Sequence, residues 1–247
     1  MSPFQALNLP NGQTLGNRIA KAAMEENLAD SDQAPDGALF RLYQAWAEGE
    51  AGLLLTGNVM IDRRAMTGPG GVVLEDERHL ERFRQWARIS CLLELSGGSY
   101  EAPAMQGEAR DGRTLAREAY FLEMAGELAS VARMPVMVTG GIRRLAIVEQ
   151  VLDSGIAMAG IGTALAVEPQ LVKRWREGQN SHPQLPPIRW KRKPLASLAS
   201  MAVVKFQLHR LSRGRETRPQ VSALWALILD RLHMARRTRQ YRQAMGK

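Results

Sequence analysis

Apolar positions follow two rhythms along this chain. Short unbroken runs at residues 51–57, 91–95, 135–139 and 156–161 have the length and continuity of strands covered on both faces. Between them, apolar residues recur at helical spacing. Asp36 stands where it caps a helix over 37–48, with Leu39, Phe40, Tyr43, Trp46 and Ala47 on one face and Gly49 past its end. A helix over about 76–88 turns Leu80, Phe83 and Trp86 inward, and another is expected over roughly 114–132. Leu145, Val148, Val151 and Leu152 share a helical face that stops at Gly155, and Glu168-Pro169 opens one more helix. Near the start, Asn11-Gly12 between apolar positions signals a short hairpin, and residues 18–24 read as the first strand of the series. Strands alternating with helices imply a parallel sheet, and both a barrel and an open doubly wound sheet satisfy the pattern.

Three strand ends carry glycine-rich turns: Ser96-Gly97-Gly98-Ser99, Thr139-Gly140-Gly141 and Gly160-Ile161-Gly162-Thr163. In parallel α/β folds chemistry gathers at the carboxyl ends of the strands, and in barrels a phosphate site commonly follows the seventh and eighth. Glycine lets a backbone approach such an anion closely, although each turn taken singly also reads as a plain tight connection. The Gly160 turn lacks the third glycine of a dinucleotide-binding fingerprint, and no lysine follows any of the three turns as a P-loop requires.

Composition narrows the field. The chain of 247 residues is 45% hydrophobic, ordinary for a globular protein and enough for one large domain or two small ones. Its one cysteine, Cys91, excludes an internal disulfide framework, and four histidines scattered over the sequence make no metal-ligand motif. The apolar runs fall short of a membrane span and the first residues lack the pattern of a secretory signal, so a cytoplasmic location is expected.

The charge is more telling. Residues 173–247 hold 18 Lys/Arg against 3 Asp/Glu, whereas residues 1–172 hold 15 against 22. The basic third begins after a proline-rich linker at 181–188. It carries a cluster around Trp190 and two helical stretches, the second with Leu224, Leu227, Ile228, Leu232 and Ala235 along one side. Two accounts stay open. The helices pack on the body of the protein, or they form a basic module that contacts nucleic acid or an anionic membrane.

Several of these segments, taken in order, resemble one family. Asn17-Arg18-Ile19-Ala20-Lys21-Ala22-Ala23-Met24 resembles the first barrel strand of the Old Yellow Enzyme, or NADH:flavin oxidoreductase, family. Residues 51–58 look like its second strand, 93–98 like its sixth, 135–143 like its seventh and 155–169 like its eighth with the helix that follows. The resemblance implies a TIM barrel that binds FMN and passes hydride from NADH or NADPH to a small electron-poor acceptor. By that pattern Ala22, Ala23, Met24 and Glu25 lie along the flavin ring, Glu25 replacing a Thr or Cys common in the family, and Asn58 lies near its pyrimidine side. The backbone at Gly140, Gly141, Gly162 and Thr163 would hold the phosphate. Arg143 stands in for an arginine that many relatives carry at the position of Thr163.

The resemblance also exposes a gap. Between the helix ending near Arg88 and the sixth-strand match beginning near Cys91, the family has three whole βα units. The segment missing at this seam, near 88–91, would carry the family's substrate-binding and proton-donating residues, so no catalytic residue is assigned, and Tyr100 and Tyr120 read as packing or surface residues. The expected architecture is a TIM-barrel-derived (β/α) fold over 1–178 lacking about three central βα units, followed by a helical basic extension over 179–247. Closing eight onto one makes units six, seven, eight, one and two a continuous arc. Its outer strands would be open edges, which favour a homo-oligomer. Two functions follow: an FMN-dependent oxidoreductase impaired by the gap, or a non-catalytic degenerate barrel whose basic helices bind a partner.

Overall fold

The computed structural model describes residues 1–66, 68–89 and 135–244. The strand expected at 91–95, the Ser96–Ser99 turn, the helix at 114–132 and residues Cys91, Tyr100 and Tyr120 lie outside the described residues. The chain divides into two compact units. The first takes Met1–Ala22, Trp46–Leu55 and, within Ser99–Gln184, the described residues from 135 on. The second takes Ala23–Ala45, Thr56–Gly98 up to residue 89, and Leu185–Lys247 up to residue 244.

The first unit is built on a four-stranded parallel sheet. Its strands are β3 (Ile19–Lys21), β4 (Leu53–Leu54), β7 (Met137–Thr139) and β8 (Met158–Ile161), in the order β4-β3-β8-β7. In the terms of the family resemblance that order is two, one, eight, seven, the neighbour relation that barrel closure imposes. Ala20 lies opposite Leu53 on one side and Gly160 on the other, and Thr139 lies opposite Gly160. All four residues of β8 are buried, as expected of a strand covered on both faces.

A hairpin of β1 (Leu7–Asn8) and β2 (Thr14–Leu15) turns at Asn11-Gly12. Leu7 joins Ala20, Leu53, Leu55 and Met158 in one apolar cluster, so the hairpin contributes to the core on that face of the sheet. Asn17 fixes the start of β3. Its buried carboxamide oxygen accepts from the amides of Ile19 (3.0 Å) and Gly52 (2.9 Å), and its nitrogen donates to the Glu50 carbonyl (2.8 Å). Helix α3 (Leu145–Asp153), the short α4 (Thr163–Val167) and α5 (Leu171–Arg176) complete the unit. Val148, Val151 and Leu152 are buried, as the helical spacing predicts.

The second unit contains most of α1 (Gly37–Ala47), numbered in chain order, with α2 (Leu80–Ile89), α6 (Lys193–Leu211) and α7 (Ala223–Ala244). Asp36 caps α1 through Oδ1, which accepts from the amide of Ala38 at 2.9 Å. Leu39, Leu42 and Tyr43 are fully buried, whereas Ala47 is exposed and Leu42 takes the inward position expected of it. Phe83 and Trp86 of α2 are buried, and the Trp86 ring meets Tyr43 edge to face at 5.3 Å. A two-residue parallel ladder pairs β5 (Val59–Met60) with β6 (Val72–Val73). It is too short to leave a pattern in the sequence.

The basic C-terminal helices are tied into this unit by named contacts. Arg41 Nε donates to the Ser212 carbonyl at 2.8 Å, Tyr241 donates to the Arg63 carbonyl at 2.9 Å, and Arg237 donates to the Ala29 carbonyl. Buried Gln207 holds both polar groups of the Arg218 backbone, accepting at 2.7 Å and donating at 3.1 Å, which fixes the loop between the helices. The face of α7 differs from the expectation. Leu224, Ile228 and Leu232 are exposed, and Ala226 is buried against Ala202 and Val203 of α6. Small residues let two helix backbones approach closely, so the contact forms on the alanine side with Leu227 packed beside it, and Leu224, Ile228 and Leu232 are left outward.

Candidate functional site

The ten residues singled out from the sequence divide between the units. Ala22, Gly140, Gly141, Arg143, Gly162 and Thr163 belong to the first, and Ala23, Met24, Glu25 and Asn58 to the second.

In the first unit the fold gathers its six at the carboxyl ends of adjacent parallel strands. Ala22 directly follows β3, and its amide donates to the Ile161 carbonyl of β8 at 2.9 Å. Gly140 and Gly141 follow β7, with φ of 134° and 67°. The left-handed conformation at Gly141 favours glycine, and a methyl group built there would meet no atom within 4 Å, so its turn faces open space. Gly162 follows β8 and precedes α4, whose N-terminus no side chain caps. Arg143 is half-buried just beyond the Gly140-Gly141 turn. The two glycine turns thus follow neighbouring strands, Thr139 lying opposite Gly160 where β7 pairs with β8.

Lys21, which is not one of the ten, lies directly before Ala22. It is fully buried at the end of β3, donates from Nζ to the Leu55 carbonyl at 2.5 Å, and sits 4.5 Å over the ring of Trp46. Trp46 in turn donates to the Leu165 carbonyl at 3.0 Å. A buried ammonium held this way joins the ends of β3 and β4. A lysine inside an apolar strand was the available signal.

In the second unit the segment carrying Ala23, Met24 and Glu25 is pressed against the segment carrying Asn58. A Cβ on Gly57 would collide with the Met24 carbonyl and the Glu26 carboxylate, so glycine at this position permits the close approach. Buried Glu26 accepts from the Tyr43 hydroxyl at 2.6 Å, and that hydroxyl also receives a hydrogen bond from the Gly57 backbone. Burial, followed by the Glu26 carboxylate, pushes the Tyr43 phenol well above its ordinary range, so the hydroxyl keeps its proton and stays a donor. Ala23 is exposed, and Met24, Glu25 and Asn58 are half-buried.

Histidines read as scattered are brought together elsewhere in the second unit. The rings of His209 on α6 and His233 on α7 meet edge to face at 4.5 Å. Burial, then the charges of His233, Arg213, Arg237 and Lys205, lower the pKa of His209 to about 3. Their separation of 24 positions on two different helices left no motif to find. Among the described residues no group of three or more His, Cys, Asp or Glu is placed to hold a metal ion. No helix among them is long and apolar enough to cross a membrane.

Comparison with known proteins gives the following. A family model described as histidine biosynthesis protein matches residues 114–183. The NADH-dependent flavin oxidoreductase iliE of Neonectria sp. (strain DH2) is 30% identical over 138 residues, which is 51% of this chain and 18% of that protein. A phosphoribosyl-imidazole-carboxamide isomerase of Pelotomaculum thermopropionicum is 45% identical over 51 residues, 21% of this chain and 20% of the relative. Among solved structures, the Old Yellow Enzyme homologue from Zymomonas mobilis superposes with a TM-score of 0.54 at 12% identity, covering 80% of this chain and 98% of the other. The sequence matches thus span about a fifth of the length of the curated flavin oxidoreductases, 18% to 22%. The chain resembles the Old Yellow Enzyme family in sequence, as its strand motifs indicate, and its α/β fold with parallel strands is shared with these barrels.

Proposed function

We propose that this chain is an FMN-binding oxidoreductase of the NADH:flavin oxidoreductase type, with NADH or NADPH as reductant and a small electron-poor molecule as acceptor. The observation that carries the reading is the parallel order β4-β3-β8-β7, which sets the Gly140-Gly141 and Gly162-Thr163 turns side by side at the carboxyl edge of one sheet. That is where barrels of this class hold a phosphate.

The residues present fit the phosphate end of FMN. Gly141 turns a left-handed backbone toward open space, α4 starts without a side-chain cap, and Arg143 supplies a positive charge. In this reading Gly140, Gly141, Gly162 and Thr163 donate backbone amides to the phosphate and Arg143 balances its charge. Ala22, Ala23, Met24 and Glu25 would line the ring, with Asn58 near its pyrimidine side. Lys21, bound to the Leu55 carbonyl, keeps the strand end beneath Ala22 in place. The chemistry that FMN supplies when bound is two-electron transfer between a nicotinamide and an acceptor.

The seam near 88–91 removes the segment that would bind the acceptor and deliver its proton. Reduction by NADH is therefore retained better than turnover of an acceptor. Anaerobic addition of NADH to the FMN-loaded chain tests this: the flavin absorbance should bleach, with slow recovery when an activated alkene is added. A spectrum unchanged by excess NADH and NADPH would overturn the oxidoreductase reading. A non-catalytic scaffold with basic helices is then the account left.

A further inference from the structure

Helices α6 and α7 touch through Ala202 and Ala226, and beside that contact they enclose a cavity of about 350 Å³. Its apolar lining comes from Ala202, Phe206, Ala226, Leu229 and Leu232. The remaining lining is strongly basic: Lys205, Arg210, Arg213, Arg215 and Arg236 face a single carboxylate, Asp230, which is itself 3.7 Å from Arg231.

Two features point to an occupant. The side chains of Lys205, Arg213, Arg215 and Arg236 have no hydrogen-bond or salt-bridge partner among the described residues, and Arg213, Arg215 and Arg236 are exposed, so unpaired cations stand at the rim of an apolar floor. His233 also lines the cavity, and its Nε2 is buried without a hydrogen-bond partner among the described residues. An unpartnered polar atom and unbalanced cations next to exposed carbon ask for one molecule with an anionic head and an apolar body. The volume lies at the lower edge of the roughly 300–1,000 Å³ typical of small-molecule sites, which fits a short chain and excludes a full phospholipid.

We propose that the α6–α7 cavity binds a medium-chain fatty acid, its alkyl chain against Phe206, Leu229 and Leu232 and its carboxylate among the rim cations beside His233. Every residue of the site lies between 202 and 236, so the proposal stands apart from the flavin reading and fails or holds without it.

Calorimetric titration of the 247-residue chain with decanoate, kept below micelle formation, tests it. The expected result is saturable one-to-one binding, with decanol, which has the chain but lacks the charge, weaker by about tenfold or more. Arg213→Gln combined with Arg236→Gln should weaken decanoate by at least about tenfold. Leu232→Glu, at a position 64% exposed and therefore harmless to the fold, should do the same by placing a carboxylate at the rim. Circular dichroism confirms that each variant is folded. Four outcomes overturn the proposal: no saturable decanoate binding, equal binding of decanol, inorganic phosphate binding as tightly as decanoate, or binding to phosphatidylglycerol vesicles alone. The last would assign the basic helices to a membrane surface.

Discussion

Replacing Tyr43 with phenylalanine removes one oxygen from the interior of the second unit and leaves the ring in place. That oxygen donates to Glu26 Oε1 at 2.6 Å and accepts from the Gly57 backbone, while the ring packs edge to face on Trp86 at 5.3 Å. The substitution therefore costs one hydrogen bond to a charged group, about 1.5–3 kcal/mol, and strips the Gly57 amide of its acceptor, about 1–3 kcal/mol. Burial of a less polar ring offsets part of this, so a net loss of about 2–4 kcal/mol is expected. With a urea m-value of about 2 kcal/mol per M, the unfolding midpoint should fall by about 1–2 M. Urea unfolding followed by far-ultraviolet circular dichroism measures it. The same hydroxyl braces the segment of Met24 and Glu25 against that of Asn58, so Tyr43→Phe should also weaken FMN binding several-fold. A stability change below about 0.5 kcal/mol with unchanged FMN affinity would refute the reasoning and make Tyr43 a packing residue only.

Asn17→Leu should destabilise the first unit by about 1–3 kcal/mol in the same assay, because it leaves the Ile19 amide and the Glu50 carbonyl without this partner, whereas the Gly52 amide keeps its hydrogen bond to the Ile19 carbonyl. Gly141→Ala places a side chain at a φ of 67°, a strain of about 1–2 kcal/mol, and should raise the FMN Kd about tenfold while leaving riboflavin, which has no phosphate, little affected in fluorescence titrations. His209 titrates near 3 when folded against an ordinary 6.5 when unfolded, so between these values the unfolded chain binds the extra proton. Its contribution to stability is complete above about pH 6.5 and is lost as the pH falls toward 3. His209→Leu should therefore flatten the dependence of Tm on pH in that window and leave the plateau above it.

Where local chemistry was strong, the sequence was legible. The Asp36 cap, the Asn11-Gly12 turn and the unbroken apolar run of β8 each have one satisfactory conformation, and each was found in place. The pairing of β3 with both β4 and β8 is not local, and it followed from the family resemblance because a closed barrel must join its last strand to its first. The remainder depended on tertiary packing. The leucines of α7 have helical spacing and would serve either face, and the alanine contact at Ala202 and Ala226 decided the matter. The Tyr43–Glu26 bond and the His209–His233 contact join residues whose sequence neighbours give no hint of a partner. The candidate site shows the same division: glycine turns announce themselves in the sequence, whereas buried Lys21 becomes a positioning group only when β4 and Trp46 surround it.

The central claim is that the turns after β7 and β8 hold the phosphate of FMN, and a titration of the 247-residue chain with FMN and, in parallel, riboflavin addresses it most directly. Saturable binding with a perturbed flavin spectrum, at least tenfold tighter for FMN than for riboflavin, is the predicted result. No binding at high micromolar FMN, or equal affinity for the two flavins, would contradict it.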